Sequence, residues 1–123
     1  MELPFYIQVN ADKGANSNQY LTTYRKMTLK KLYFVSDATI SAHAADWCKI
    51  DIYNGSTKIA LRHFDSSGGS SITGGVSESL ALSGGEALDF SELGELKIEY
   101  TQNSSGMDVR GGFVAVFEPR RET

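Results

Sequence analysis

The chain has 123 residues, a formal net charge of −3 and a sequence pI near 5.3. With 41% hydrophobic residues, it is too apolar for a disordered chain, and its length suits a single hydrophobic core. The basic residues form no broad cluster, so we expect no nucleic acid partner. No apolar run approaches the ~18 residues that span a bilayer, and the N-terminus lacks the features of a signal peptide. We therefore expect a protein made in a cytoplasm, without membrane contact.

Residues 4–9 are predicted to form the first strand, and a polar, turn-rich segment follows in residues 10–25. This segment could be an ordered loop, an extended arm or a short helix. Residues 27–36, which have a dense apolar centre, are predicted to form the next strand. We expect residues 1–26, the N-terminal strand and polar arm, to be part of the same unit as a β-sandwich domain in residues 27–123.

Residues 47–64 are predicted to form a β-hairpin. The Asn54-Gly55 pair between two alternating segments is the strongest short signal for such a turn. Alternation predicts the inward side chains to be Cys48, Ile50 and Ile52 in the first strand and Ile59, Leu61 and His63 in the second. His63 is thus expected at the core or its edge, with a satisfied hydrogen bond. Cys48, the single cysteine, is expected to be a buried small hydrophobe and not a reactive thiol.

The glycine- and serine-rich stretch FDSSGGSSITGG, residues 64–75, connects two predicted strands. A linker between domains is excluded because the remaining C-terminal piece is too short to form its own core. A phosphate-binding loop would precede a helix and, in its P-loop version, carry a lysine. Here no lysine is present, and the next segment has strand periodicity. The stretch is therefore interpreted as a flexible surface connection.

The C-terminal part of the chain supplies the remaining strands, predicted in residues 76–83, 87–90, 95–102 and 112–118. In GELKIEYTQ, the inward side chains are expected to be Leu96, Ile98 and Tyr100. The last strand, GGFVAVFEP, is apolar on both faces, which indicates burial on both, either centrally in the domain or against a partner chain. About eight strands and no helical periodicity predict an all-β fold, a sandwich or a barrel.

Side chains that support catalysis or metal binding are few. One cysteine and two histidines cannot build a structural zinc site, and no serine lies in a G-x-S-x-G motif. The carboxylates in residues 86–95 lack EF-hand spacing and are interpreted as solvated surface, in preference to a calcium site or a glycosidase pair. We expect no catalytic residue, no metal and no cofactor. An enzyme would instead be indicated by a deep pocket that holds His63 with Asp65 or Ser70.

The order of these signals resembles that of small jelly-roll domains on the virions of tailed bacteriophages, among them capsid decoration proteins and head fibres. The resemblance covers residues 31–119 and rests on VSDATISAHAADW, the hairpin IDIYNGSTKIA, the glycine/serine turn, ESLALSGGEALDFSELGELKIEYT and the closing GGFVAVFEP. Many such domains have a Gly-Asp turn where this sequence reads Leu93-Gly94-Glu95. The closing strand is also similar to the last strand of trimeric jelly rolls of the tumour-necrosis-factor-like group, which lies near the threefold contact.

The resemblance implies a single jelly-roll-like antiparallel β-sandwich of about eight strands. It also implies a non-enzymatic virion structural protein, a capsid decoration protein on the virion surface. Such a protein forms a homotrimer and binds the major capsid protein or another virion component. The residues that it suggests for the subunit interface are Phe113, Val114, Val116 and Phe117. Those suggested for partner binding, in a polar arm that orders on contact, are Tyr20, Tyr24 and Arg25.

An alternative interpretation is a carbohydrate- or receptor-binding β-sandwich module of a virion tail or fibre. It starts from the aromatic residues expected in loops or on outward positions, which are Tyr20, Tyr24, Tyr33, Tyr53 and Trp47. Exposed aromatic rings stack against sugar rings in many binding modules. This alternative predicts exposed tyrosine and tryptophan side chains beside carboxylates on one face. Otherwise the rings pack beneath loops or in a subunit contact.

Overall fold

The structure, a computed structural model, describes residues 1–103 and 105–120. These residues form nine strands, β1 (Leu3–Ala11), β2 (Ser17–Thr23), β3 (Met27–Ser36), β4 (Cys48–Asn54), β5 (Thr57–His63), β6 (Glu78–Ser79), β7 (Asp89–Phe90), β8 (Gly94–Gln102) and β9 (Val109–Pro119). A short 3₁₀ helix, Gly85–Leu88, lies between β6 and β7. No helix in the described part of the chain is long and apolar enough to cross a bilayer.

Two antiparallel sheets pack face to face. The front sheet has the order β1-β9-β3, and the short strands β6 and β7 both pair with the far edge of β3. The back sheet has the order β2-β8-β4-β5. The chain passes repeatedly from one sheet to the other, and β6 and β7 share one strand position, which is the winding of a jelly roll. The predicted fold class, an all-β antiparallel sandwich, is confirmed.

The core lies between the sheets and is built from alternate side chains of each strand. Its largest members are Tyr100 and five phenylalanines with no exposed surface, Phe34, Phe64, Phe90, Phe113 and Phe117. The back sheet contributes the inward side chains that alternation predicts, Cys48, Ile50, Ile52, Leu96, Ile98 and Tyr100. Burial raises the pKa of the Cys48 thiol to about 12. Because the thiolate is the reactive form, this cysteine is a packing residue, as predicted.

The polar segment in residues 10–25 is not a loop, an arm or a helix, because it contains strand β2. β2 pairs with β8 along its whole length and forms one edge of the back sheet. Its inward side chains are Gln19, Leu21 and Thr23, of which only Leu21 is apolar. Gln19 accepts a hydrogen bond from the Tyr100 hydroxyl. An edge strand of this kind buries little apolar surface, so its sequence does not show the alternation of a central strand.

β5 departs from the predicted alternation because it contains a β-bulge. Its pairing with β4 shifts register and leaves Ile59 without a partner. Beyond this extra residue the two faces are exchanged: Arg62 is buried, whereas Leu61 is 46% exposed. The prediction that Leu61 and His63 face the core is therefore wrong, and both lie on the outward side of the back sheet.

Residues 76–83 form a much shorter strand than predicted, Glu78–Ser79 alone. The Leu80 N–H donates to a carbonyl of β3 at 2.8 Å, and the Ser83 N–H donates to a carbonyl of β5 at 2.9 Å. Since β3 and β5 belong to different sheets, this segment crosses from one sheet to the other and cannot continue as one strand. The strand predicted in residues 87–90 is likewise shortened, to β7, by the 3₁₀ helix before it.

Candidate interaction surfaces

The front face, which is the outward side of the front sheet, carries a row of three apolar side chains. Tyr6 of β1, Val114 of β9 and Tyr33 of β3 lie directly opposite one another across the three strands. Val116 follows two residues along β9, and both valines are partly exposed although β9 is the central strand. The row is bordered by Lys31, which lies opposite Val116.

The four residues predicted for the subunit interface divide between two environments. Val114 and Val116 lie on the front face, whereas Phe113 and Phe117 point into the core and have no exposed surface. The Phe117 ring packs edge-on against the Phe5 ring, with 5.7 Å between the ring centres. Burial leaves the two phenylalanines no surface to offer a second chain. Of the four residues, Val114 and Val116 are the ones that keep outward surface.

Tyr6 is held against the backbone of β9. It is 68% exposed, and its hydroxyl donates to the Gly111 carbonyl at 3.2 Å. A Cβ at Gly112 would overlap the tyrosine ring, so the ring rests where glycine leaves room for it. Tyr6 was not predicted from the sequence, because its neighbours are set by the pairing of β1 with β9. The Gly111-Gly112 pair at the start of the last strand was the available signal.

The back face, which is the outward side of the back sheet, is charged, and its charges pair within the chain. Asp51 Oδ1 lies 3.1 Å from Lys58 Nζ and 2.8 Å from His63 Nε2. The hydrogen bond that Lys58 donates to Asp51 raises the pKa of the lysine. Lys97 Nζ lies 3.8 Å from the Glu99 carboxylate. His63 thus has the hydrogen bond predicted for it, but on the outward side of the sheet.

Two of the predicted aromatic side chains lie on the back face in one row with lysines. Tyr20, Lys97, Tyr53 and Lys58 lie opposite one another on the four strands. Lys97 Nζ is 4.8 Å from the centre of the Tyr53 ring, and Lys58 Nζ is 6.0 Å from it. Trp47 also has a lysine ammonium over its ring, at 4.8 Å. These cation–π contacts place a lysine ammonium over the rings of Tyr53 and Trp47. The Tyr20 side chain is 56% exposed.

Tyr24 and Arg25 lie in the turn between β2 and β3, at one end of the sandwich. Tyr24 is 78% exposed and Arg25 is exposed as well. Leu93 adjoins them, because its N–H donates to the Thr23 carbonyl at 2.6 Å. We call Tyr24, Arg25 and Leu93 the tip. Tyr20 lies apart from it on the back face, so the structure does not bring the three predicted partner-binding residues together.

Leu93 belongs to the tip but was not predicted from the sequence as a binding residue. It is 65% exposed and has a φ of 59°, in the left-handed region that leucine rarely adopts. Strain of this kind costs of order 1–3 kcal/mol and is concentrated at functional sites. The signal in the sequence was the Leu93-Gly94-Glu95 turn itself, where the resemblance to phage jelly rolls departs from Gly-Asp.

Arg62 joins the two sheets at the edge between β5 and β6. Its Nε lies 2.7 Å from the Glu78 carboxylate. Its guanidinium also donates to the carbonyls of His63, Ser70 and Ser71, each at 2.9 Å. The last two carbonyls belong to the glycine/serine stretch predicted to be flexible. That stretch is an ordered loop, because the buried Arg62 guanidinium donates hydrogen bonds to two of its carbonyl groups.

Asp65 orders the first part of the same loop and is 6% exposed. Its Oδ2 accepts hydrogen bonds from Ser67 Oγ at 3.0 Å and from the Gly68 N–H at 3.2 Å. Burial acts to raise the pKa of this carboxyl. The hydrogen bonds from Ser67 and from the Asp65 and Gly68 amides, together with the charge of Lys49, outweigh burial and lower the pKa. Asp65 therefore holds the loop as a carboxylate.

An open cleft of about 290 Å³ borders Arg62, His63 and Ser70. An enzyme was expected to hold His63 with Asp65 or Ser70 in a deep pocket. In the structure His63 Nε2 contacts Asp51, and the Asp65 carboxylate contacts its own loop. The cleft therefore borders both His63 and Ser70, but it is open, and the His63 ring is bound by Asp51. Within residues 1–103 and 105–120, no three histidine, cysteine, aspartate or glutamate side chains are grouped to hold a metal ion.

No protein-family model and no curated protein sequence matches the chain. Similar solved structures include the VP2 subviral particle of infectious bursal disease virus, with a TM-score of 0.40, 14% identity, and coverage of 94% of this chain and 33% of that chain. The Gx strain of the same virus gives a TM-score of 0.40 at 12% identity, with 100% and 32% covered. The chain spans about a third of the length of these proteins. Similarity this weak establishes neither a family nor a function.

Proposed function

We propose that this chain is a non-enzymatic virion structural protein, a capsid decoration protein that forms a homotrimer and binds the capsid surface. A jelly roll alone does not select this function, because the fold also serves lectins and cupins. The observation that carries the proposal is the apolar row Tyr6, Val114 and Tyr33 on the front face. Apolar surface of this kind is unfavourably hydrated until a second protein covers it.

The front face is assigned to the contact between subunits. Val114 and Val116 lie at its centre, on the middle strand of β1-β9-β3. A closed trimer repeats the same capsid-binding surface three times in a fixed arrangement. A weak capsid contact then gains strength by avidity, because the second and third contacts form within one assembly. This arrangement needs neither a cofactor nor a catalytic group.

The tip is assigned to the capsid contact, with the major capsid protein or another virion component as its partner. Tyr24 and Leu93 offer exposed apolar surface, and Arg25 adds a positive charge beside them. Tyrosine and arginine are enriched in protein interfaces. The left-handed backbone of Leu93 supports the same assignment, since strain is retained where function needs a particular side-chain position.

Co-sedimentation of the purified protein with candidate phage capsids tests the capsid contact. Tyr24→Ser should weaken binding by about tenfold, because tyrosine is enriched among the few interface residues that carry most of the binding energy. Val76→Ser is the matched control, because Val76 is a 55% exposed apolar residue in the loop before β6. Deleting residues 1–24 does not test an arm, since it removes strands β1 and β2 from the two sheets. Equal binding by wild type and Tyr24→Ser would overturn the assignment of the tip.

The second candidate function is carbohydrate or receptor binding through the back face. Tyr20 and Tyr53 lie there in one row, with the Asp51 and Glu99 carboxylates in the next. The Tyr53 ring is less suited to stacking on a sugar, because Lys97 lies over it. A glycan array with wild type and Tyr20→Ser separates the two functions. Glycan binding that Tyr20→Ser abolishes would favour this candidate over capsid decoration.

A further inference from the structure

β1 is a long edge strand, and the direction of its backbone groups follows from the neighbouring strands. The Asp37 N–H donates to the Arg110 carbonyl at 2.8 Å, so that carbonyl points from β9 toward the β3 side. Because backbone groups alternate along a strand, Gly111 and Phe113 point the other way, toward β1. Their partners, Val9 and Ile7, use their backbone groups to pair with β9.

The alternate residues of β1 consequently direct their backbone groups away from the sheet, namely Pro4, Tyr6, Gln8 and Asn10. Two groups on this free edge are blocked. Pro4 has no N–H to donate. The Gln8 carbonyl already accepts a hydrogen bond from Gln19 Nε2 at 2.7 Å. In the part of the chain that the structure describes, no backbone hydrogen bond reaches Tyr6 from this side.

We propose that β1 pairs antiparallel with β1 of a second copy, with Tyr6 opposite Tyr6 of the second copy. In this register the two Tyr6 residues exchange N–H and C=O hydrogen bonds. The Gln8 N–H donates to the Pro4 carbonyl of the other copy. The missing donor, at Pro4, lies opposite the occupied acceptor, at Gln8. The two blocked groups of one chain therefore face each other across the contact.

Other registers leave a mismatch. A shift of two residues one way places the Tyr6 N–H opposite the occupied Gln8 carbonyl. The same shift the other way places the Tyr6 carbonyl opposite Pro4, which has no N–H. Proline on an edge strand usually prevents pairing with other chains. On this strand it selects a single self-pairing, and this self-complementarity argues for a second copy in preference to a strand of another protein.

The inward side chains of β1 fit the same register. Phe5 of one copy lies opposite Ile7 of the other, and Leu3 lies opposite Val9. Leu3 and Phe5 are only partly buried at the open edge of the core. Pairing would cover this edge and join the two front sheets into one. The contact runs along the backbone edge of β1 and does not involve Val114 or Val116 of β9, so it adds a twofold contact to the proposed threefold one.

Disulfide formation between introduced cysteines tests the register. Tyr6 is the residue that faces itself, with Cα atoms about 5.5 Å apart, within disulfide range. Gln8 of one copy lies roughly 13 Å along the strand from Gln8 of the other, too far for a bond. Under mild oxidation Tyr6→Cys should form covalent dimers and Gln8→Cys should not. The native Cys48 does not interfere, because it is buried. Cross-linking of both variants alike, or of neither, would overturn the proposal.

Light scattering of Tyr6→Pro and Tyr6→Ala at high micromolar concentration tests the backbone contact itself. Both variants lose the ring, but only the proline variant loses the N–H that points away from β9. Tyr6→Pro should have half the assembly mass of Tyr6→Ala, with the same circular dichroism. Equal masses would overturn the edge pairing and leave the free edge to a strand of a different protein. If the proposed threefold contact does not form, the twofold difference in assembly mass between Tyr6→Ala and Tyr6→Pro should remain.

Discussion

The front and back faces are the two outward surfaces of one sandwich, and they set tyrosine rings in different surroundings. On the front face Tyr6 and Tyr33 flank Val114. On the back face Tyr20 and Tyr53 flank Lys97, whose ammonium lies over the Tyr53 ring. The side chain between the two rings therefore decides whether the row is apolar, as on the front face, or charged, as on the back face.

On the back face, Asp51 contacts Lys58 and His63, and Lys97 lies near Glu99. The lysine ammonium groups of Lys58 and Lys97 remain partly exposed, so this face is compatible with water as it stands. Covering the apolar surface of the front face instead lowers the free energy of the assembly. Substitutions on the front face should thus change assembly, and those on the back face should not.

The largest effect on stability is expected from Gly111→Ala, beneath the front face. The new Cβ would overlap the Val35 carbonyl oxygen, which is main chain and cannot move without disturbing the pairing of β3 with β9. We expect a loss of about 3 kcal/mol in the free energy of unfolding. Gly112→Ala is the control, because the three atoms nearest its new Cβ all belong to the Tyr6 ring and hydroxyl, which can turn away. Urea denaturation should show the smaller loss for Gly112→Ala, and equal losses would contradict this explanation.

Arg62→Met removes the side chain that joins the two sheets at their edge. It leaves the Glu78 carboxylate and the Ser70 and Ser71 carbonyls without their donor. We expect a loss of about 2 to 3 kcal/mol, below the cost of a fully buried pair because Glu78 can turn toward water. Lys58→Met, on the exposed side of the same strand, should cost less than about 1 kcal/mol. Denaturation of both variants measures the difference, and assembly mass should change in neither.

Leu93→Gly should stabilise the fold by about 1 kcal/mol, because glycine adopts the left-handed backbone without strain. The same variant should bind capsids more weakly, since it removes exposed apolar surface from the tip. Leu93→Asn serves as a comparison, because asparagine tolerates this backbone better than leucine does. Thermal unfolding and co-sedimentation together test the prediction. A destabilised glycine variant would show that the side chain supports the fold.

The smallest effect at neutral pH concerns Cys48 in the core of the back sheet. An unfolded chain releases the thiol proton above pH ~8.5, whereas the folded chain holds it until about 12. The stability from the buried neutral thiol is therefore complete below pH ~8.5 and is lost as the pH rises through this window. Cys48→Ala should show a shallower fall in unfolding free energy between these values. Identical slopes for wild type and variant would contradict the assignment.

The fold could be predicted well where local signals and burial agree. Asn54-Gly55 specified the hairpin, and alternation specified the inward faces of β4 and β8. β2 was missed because an edge strand with polar inward residues has little alternation to detect. The exchange of faces in β5 was missed because the bulge at Ile59 depends on pairing with β4 and has no residue signature.

The candidate surfaces were predictable only in part. The doubly apolar pattern of the last strand identified Val114 and Val116, but Phe113 and Phe117 proved to be core. Tyr6 joins the front face through cross-strand register, which a single sequence does not specify. Leu93 joins the tip through a backbone conformation that its residue type argues against.

The most direct test of the account is the assembly mass of Val114→Asp, measured by light scattering beside Thr101→Asp. Both positions are partly exposed and point outward on interior strands, Val114 on the front face and Thr101 on the back face. Wild type and Thr101→Asp should have an assembly mass that is a multiple of three 13.4 kDa chains. The assembly mass of Val114→Asp should be one third of that value, with the protein still folded. An unchanged mass for folded Val114→Asp would contradict the assignment of the front face to the subunit contact.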